Sequence, residues 1–170
     1  MGNFVSDAEL SIPSDLIYLR SVRAFIRELA ENLGFCSEKI NNIEIATDEI
    51  LSNAFEHGSE GVSSDIVISC IINEKSMRIV IRDQGKENPL DNNWFKVWSN
   101  VENSDVQIDT ERGHGLLLAR LLSDNMRMES NSAGGIDVHL VWFIKEDNVY
   151  CLKNNRLNCE PQICMNSTEK

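Results

Sequence analysis

The chain has 170 residues and the hydrophobic and charged fractions of a soluble globular protein, which suits a single domain with its own core. Its formal net charge of −11 at pH 7 argues against direct binding of nucleic acid, which needs a basic face, and no apolar run approaches the length of a membrane span. Five cysteines without a C-x-x-C motif indicate a reduced, cytoplasmic chain.

The first predicted elements are an edge strand and an amphipathic helix. Residues Ala8 to Pro13 have the character of an edge strand. Ser14 is a suitable N-cap for a helix that runs to about Leu33, and Gly34 would end that helix. The apolar side chains of the helix recur at helical spacing and form one stripe: Leu16, Leu19, Val22, Phe25, Ile26, Leu29 and Leu33.

The second predicted helix carries the most informative run of the chain, Ala46 to Gly58. Glu49, Asn53 and His57 recur at four-residue steps, so their side chains lie one above the other on a helix. A fixed carboxylate and carboxamide suit a general base and a metal ligand, although an ordinary solvated helix face has the same pattern. The apolar residues fall on the other side and would pack inward: Ile40, Ile43, Ile50, Leu51, Ala54 and Phe55.

Two strands follow the second helix. Alternation of apolar and polar residues predicts strands over Asp65 to Asn73 and Met77 to Arg82, and a short polar link between them suits a hairpin. Asp83 and Gly85 come where the second of these strands ends.

A glycine pair then opens the third predicted helix. Gly113 and Gly115 precede an apolar run over Leu116 to Leu122, and such a pair lets backbone N–H groups approach an anion at a helix start. A loop that needs a positive φ would have the same sequence. The last two predicted strands are Met126 to Ser130 and Ile136 to Ile144.

Helices followed by strands predict a two-layer α/β sandwich in which helices cover one face of a mixed β-sheet. The domain would occupy residues 1–148. Residues 149–170 are polar and rich in Asn, which predicts a loosely ordered C-terminal tail.

Three of these pieces, taken in order, resemble the ATP-binding boxes of the histidine-kinase-like (GHKL) ATPases, and most closely those of the anti-sigma-factor serine kinases. The boxes read Glu49-Ile-Leu-Ser-Asn53 on the helix, Asp83-Gln-Gly85 after the strand, and Gly113-His-Gly115 at the next helix. The resemblance covers about residues 12–144. It implies the same sandwich fold, with ATP held between helices.

The resemblance implies a role for the first and the last residue of each of the first two boxes. Asn53 would be a Mg²⁺ ligand, because Mg²⁺ prefers oxygen donors and keeps several waters. Glu49 would be the general base that accepts a proton from an attacking serine hydroxyl or from water. Asp83 would accept a hydrogen bond from the adenine amino group, and Gly85 would let the backbone approach the base.

The glycine box would hold the phosphates of ATP. Backbone groups of Gly113, His114 and Gly115 would line them, and Arg112 is a candidate for stabilising charge on the γ-phosphate. The chain departs from the family near its last strand, where Gly134-Gly135-Ile136 stands in place of a Gly-Thr pair that helps to bind the base region.

A long polar segment, Lys86 to Arg112, lies between the second and third boxes. Loops of that length are usually functional or disordered. Two interpretations stay open for its aromatic cluster: a turn packed on the core, or a lid over ATP or patch for a partner. The cluster consists of Trp94, Phe95, Val97 and Trp98.

The resemblance implies an ATP- and Mg²⁺-dependent bacterial serine/threonine protein kinase that is also an anti-sigma factor in transcription regulation. Such a protein holds a sigma factor inactive and phosphorylates the anti-sigma-factor antagonist that competes for it. The family resemblance suggests a homodimer, with no nucleic acid or membrane as a partner. The alternative is an ATP-gated protein-binding module without kinase activity.

Overall fold

The computed structural model describes residues 5–57, 65–84 and 114–144. The segment Lys86 to Arg112 and the tail 149–170 therefore lie outside the described residues, and their predictions stay predictions. No helix within the described ranges has the length and apolar character needed to cross a membrane. The elements in chain order are β1 Val5–Pro13, a 3₁₀ turn Leu16–Tyr18, α1 Leu19–Asn32, α2 Ser37–His57, β2 Asp65–Asn73, β3 Ser76–Arg82, α3 His114–Leu122, β4 Asn125–Ser130 and β5 Ile136–Phe143.

The five described strands form one sheet in the order β1-β2-β3-β5-β4. The predicted α/β sandwich is confirmed, but the described strand pairs are all antiparallel, whereas the prediction had a mixed sheet. Two of the pairs must be antiparallel because β2–β3 and β4–β5 are joined by short hairpin connections, which cannot link parallel strands.

The helices lie against one face of the sheet, and the core fills the space between the two layers. Alternate residues of β2 are buried while their neighbours are half-exposed, which is the pattern of a strand covered tightly on one face. On the helical side, α2 packs against α1, α3, β3 and β5. Buried residues of the two layers include Ile68, Cys70, Ile79, Ile81, Leu140, Val22, Ile26, Ile43, Ala46, Ile50, Leu116 and Ala119.

The ends of the first helix differ in how well the sequence predicts them. Asp15, and not Ser14, supplies the cap: its Oδ1 accepts from the Ile17 N–H at 3.0 Å at the start of the 3₁₀ turn, and the α-helix proper begins at Leu19. Asp15 has the extended backbone that an N-cap needs. At the other end Gly34 has a φ of 73°, so the predicted glycine stop is confirmed.

Ion pairs join the outer faces of α1 and α2. Arg23 contacts Asp48 at 2.5 Å, and Arg27 contacts Glu44 at 2.5 Å. Both arginines are more than two-fifths exposed, so each pair contributes at most about 1 kcal/mol to the free energy of unfolding. One face of α2 therefore contacts α1, and a different face of α2 contacts α3.

The C-terminal end of α3 is fixed to the sheet by a tryptophan. The indole Nε1 of Trp142 in β5 donates to the Leu122 carbonyl at 2.9 Å, and the whole side chain is buried. A buried indole needs such an acceptor, and a helix end needs such a donor. The bond therefore sets the position of α3 against the sheet.

Two cysteines of the described residues differ in state. Cys70 in β2 is a free thiol with no exposed surface, and burial raises its pKa from 9.0 to about 11. Cys36, between α1 and α2, is half-buried and disulfide-bonded. The prediction of a reduced chain is therefore wrong at Cys36.

Candidate functional site

The helical part of the site lies where α3 begins beside α2. A methyl group placed on Gly115 would lie 2.5 Å from Oε2 of Glu49 and 3.7 Å from Nδ2 of Asn53. The structure therefore brings together the carboxylate and carboxamide of the predicted polar stripe and the second glycine of the predicted glycine box. Glu49 and Asn53 are both half-buried, so neither is an ordinary solvated helix residue.

The close approach of the two helices explains the glycine. Leu116 and Ala119 of α3 are buried in the core, and they hold the first turn of α3 against α2. A contact of 2.5 Å between a side-chain carbon and Glu49 is too short to exist, so any larger residue at position 115 would push the carboxylate away. Gly115 thus gives the Glu49 side chain its place.

The same point carries the positive end of a helix. The first backbone N–H groups of a helix have no partner within it, and the helix dipole favours an anion there. The first turn of α3 contains no acidic residue, and the helix starts with the exposed residue His114. The Glu49 carboxylate and the Asn53 carboxamide lie beside Gly115 in this first turn.

This set of groups fits a magnesium nucleotide. The first turn of α3 is a helix start, whose backbone N–H groups suit a phosphate. Asn53 offers an oxygen, and Mg²⁺ often takes only one or two protein ligands because phosphates and waters complete its shell. Among the described residues no three His, Cys, Asp or Glu side chains cluster as a metal site.

The second part of the site lies at the end of β3. The backbone N–H of Asp83 donates to the Ile136 carbonyl at 3.2 Å, and the Ile136 N–H donates to Oδ1 of Asp83 at 3.1 Å. Both the main chain and the carboxylate of Asp83 are thereby fixed against the start of β5. A half-buried carboxylate held in one position suits the predicted recognition of an amino group.

Further polar residues hold Asp83, and the sequence did not single them out. Nδ2 of Asn131 donates to the Asp83 carbonyl at 2.8 Å and to Oδ1 of Asp137 at 2.9 Å. Arg82 binds the same buried Asp137 carboxylate through Nε and Nη2 at 3.0–3.1 Å, and these hydrogen bonds raise the pKa of Arg82 further above its usual value. In this region the sequence drew attention only to Gly134-Gly135-Ile136.

The remaining predicted site residues have not been placed. Gly85, Arg112 and Gly113 lie outside the described residues, as does the side chain of His57. Their assignments stay predictions. The described part of the site consists of two groups: Glu49, Asn53 and Gly115 between helices, and Asp83 with Ile136 and Asn131 at the end of the sheet.

Known proteins share this arrangement of elements. Residues 12–142 match the family described as the histidine kinase-like ATPase domain. The serine-protein kinase RsbW of Bacillus pumilus is 24% identical over 152 residues, which are 88% of this chain and 93% of that protein. The anti-sigma F factor of Bacillus cereus is 28% identical over 77% of this chain and 85% of that protein.

One solved structure supports the same fold. The structure of the RsbU and RsbW domains of a Mycobacterium tuberculosis protein superposes with a TM-score of 0.56 at 22% identity. The match covers 80% of this chain and 32% of that one, so the chain corresponds to about a third of the larger protein.

Proposed function

The chain belongs to the histidine-kinase-like ATPase family, and we propose that it is a Mg²⁺- and ATP-dependent serine/threonine protein kinase that also acts as an anti-sigma factor. One observation carries this proposal: Glu49 and Asn53 meet Gly115 at the first turn of α3. A general base, an oxygen ligand and an anion-binding helix start are the parts that phosphoryl transfer needs. The names of the relatives, a serine-protein kinase and an anti-sigma factor, support it.

Each group would have a separate task. Asn53 would hold Mg²⁺, which supplies positive charge that offsets the charge of the phosphates. The N–H groups of the first turn of α3, with Gly113 and Arg112 before it, would receive the phosphates. Glu49 would accept the proton of the attacking hydroxyl group, and Asp83 with Gly85 would hold the adenine.

The protein partners follow from the same family. The chain would bind a sigma factor and hold it inactive in the bacterial cytoplasm. It would phosphorylate a serine or threonine of the anti-sigma-factor antagonist and so end the competition for the sigma factor. We further propose a homodimer, in line with the family, and no direct contact with nucleic acid or membrane, in line with the net charge of −11.

Two measurements test this function in sequence. Calorimetry with Mg²⁺–ATP and Mg²⁺–GTP should give binding of ATP and weaker binding of GTP. Equal binding of both, or of neither, would overturn the assignment of the site. Labelled ATP is then incubated with the chain and candidate antagonist proteins, and mass spectrometry locates the phosphorylated residue. A chain that binds a partner only with ATP, yet transfers no phosphate, is a binding module and not a kinase.

A further inference from the structure

Two asparagines shape the two hairpins of the sheet in the same way. In the β2–β3 hairpin, Oδ1 of Asn73 accepts from the N–H groups of Lys75 and Ser76 at 2.8 and 2.9 Å. In the β4–β5 hairpin, Oδ1 of Asn131 accepts from the N–H groups of Ala133 and Gly135 at 3.0 and 2.9 Å. Both are turns in which a side-chain oxygen replaces a backbone acceptor.

The two asparagines differ in the hydrogen bonds that their side-chain Nδ2 atoms make. Within the described part of the chain, every hydrogen bond of the Asn73 side chain uses Oδ1 as the acceptor, including one from the Ser76 hydroxyl. Nδ2 of Asn131 instead donates to the Asp83 carbonyl and to the Asp137 carboxylate. Two donors face Oδ1 and two acceptors face Nδ2, so the neighbours fix the orientation of the carboxamide.

We infer that Asn131 is a positioning residue, which holds Asp83 where its carboxylate can select adenine. This inference rests on the proposed ATP site and adds a residue to it. Asn131 lies 48 positions from Asp83 in the chain, yet it ties the end of β3 to the turn before β5. The backbone N–H of Ile136, directly after that turn, also donates a hydrogen bond to Oδ1 of Asp83.

An ion pair between the partly exposed Arg82 and the buried Asp137 carboxylate completes the support. Asp137 accepts from Asn131 on one side and from Arg82, the residue before Asp83, on the other. Arg82 and Asp137 lie opposite each other in neighbouring strands. Asn131 and Arg82 therefore fix Asp83 from two directions, and a carboxylate held this way loses little freedom when a base binds.

The chain offers a matched pair of substitutions. Asn131→Asp keeps the acceptor that shapes the turn, but it replaces the Nδ2 donor with a second acceptor that faces Asp137 and the Asp83 carbonyl. Asn73→Asp makes the same chemical change in the other hairpin, where the donor has no hydrogen bond among the described residues. A difference between the variants therefore comes from the Nδ2 position, where Asn131→Asp loses a donor and brings a carboxylate oxygen against Asp137, and not from the turn.

The experiment measures Mg²⁺–ATP and Mg²⁺–GTP binding by calorimetry for the wild-type chain and both variants, together with their thermal unfolding. We expect Asn131→Asp to weaken ATP binding about tenfold and GTP binding far less, because both hydrogen bonds from Nδ2 are lost, including the one that fixes the main chain of Asp83. Asn73→Asp should leave both affinities unchanged. Amide hydrogen exchange without nucleotide should be faster at Asp83 and Ile136 in Asn131→Asp, while Gly135 stays protected.

Each other outcome overturns a stated claim. If folded Asn131→Asp keeps the ATP preference of the wild type, or weakens ATP and GTP equally, Asn131 has only a structural role. If Asn73→Asp weakens ATP binding as much, the effect belongs to hairpin stability, and the positioning role is also wrong. If wild type itself fails to prefer ATP, the proposed function falls and this inference falls with it, which the wild-type measurement alone reveals.

Discussion

The helical and sheet sides of the candidate site hold their polar groups by different means. On the helical side, Glu49 and Asn53 share one face of α2, and their positions depend on how closely α3 approaches at Gly115. On the sheet side, hydrogen bonds from the β4–β5 region hold the main chain and the carboxylate of Asp83. Packing sets the first group, and a hydrogen-bond network sets the second.

This difference matches the tasks proposed for the two sides. A general base must exchange a proton with a reacting group, so it needs space and a partner that changes during the reaction. A residue that selects a base must present one acceptor in one place each time. Changes on the helical side should therefore alter turnover more than binding, and changes on the sheet side should alter binding and selectivity.

Glu49→Gln is the change with the largest expected effect. The carboxamide keeps the shape of the side chain and removes the base, so phosphoryl transfer to the partner should fall by about 10²-fold or more, while ATP binding stays nearly intact. Transfer of labelled phosphate and calorimetry measure the two quantities. Loss of ATP affinity with unchanged transfer per bound nucleotide would place Glu49 among the binding residues instead.

Asp83→Asn tests the sheet side. Loss of a charge-assisted hydrogen bond to the adenine amino group should weaken ATP binding by about 1.5 to 3 kcal/mol and reduce the preference over GTP. The rate of transfer at saturating ATP should change much less. Equal losses of affinity for ATP and GTP would show that Asp83 stabilises the fold and does not distinguish adenine from guanine.

Gly115→Ala tests the contact that joins the two helices. The added methyl group would lie 2.5 Å from Oε2 of Glu49, so this carboxylate, which ends a flexible side chain, would have to move aside. We expect weaker ATP binding and lower transfer together. In a double-mutant cycle, Glu49→Ala removes the colliding oxygen and should restore much of the lost ATP affinity; full additivity would mean that the two residues do not touch.

Asp48→Asn is the matched control with the smallest expected effect. Asp48 precedes Glu49, but its carboxylate pairs with the exposed Arg23 on the other side of α2. Urea unfolding should show a loss of at most about 1 kcal/mol, and transfer should not change. A fall in transfer like that of Glu49→Gln would mean that any lost carboxylate on this helix impairs the enzyme.

The helical side could be predicted from sequence because its geometry is local. Side chains four residues apart on a helix share a face, so Glu49 and Asn53 could be grouped without knowledge of the fold. The glycine pair at a helix start predicted that an anion could approach backbone N–H groups there, but not that α3 meets Glu49. The antiparallel order of the sheet was harder, since it depends on which strands meet. The choice of Asp15 over Ser14 as cap depends on a backbone angle that both residues can adopt.

The sheet side could be predicted only in part. Asp83 stood out because it ends a strand before a glycine, but its contacts come from residues about fifty positions later. Asn is a common turn residue, so Asn131 did not stand out in the sequence. The role of its Nδ2 donor can be recognised only once β3 and β5 are known to be neighbours. Ile136 takes part through its backbone N–H, which every residue except proline would supply, so its side chain gave no indication.

Chemical modification of the buried Cys70 thiol can report local unfolding of the protein. Cys70 lies opposite Ala8 of β1 and Ile79 of β3, and its thiol is buried in the core with a pKa raised to about 11. An alkylating reagent at neutral pH can therefore modify Cys70 only while the core around it is open, and the rate of modification measures local unfolding. A ligand that binds only the folded chain lowers the rate of Cys70 modification, so candidate nucleotides can be ranked by this rate before any phosphorylated partner is known.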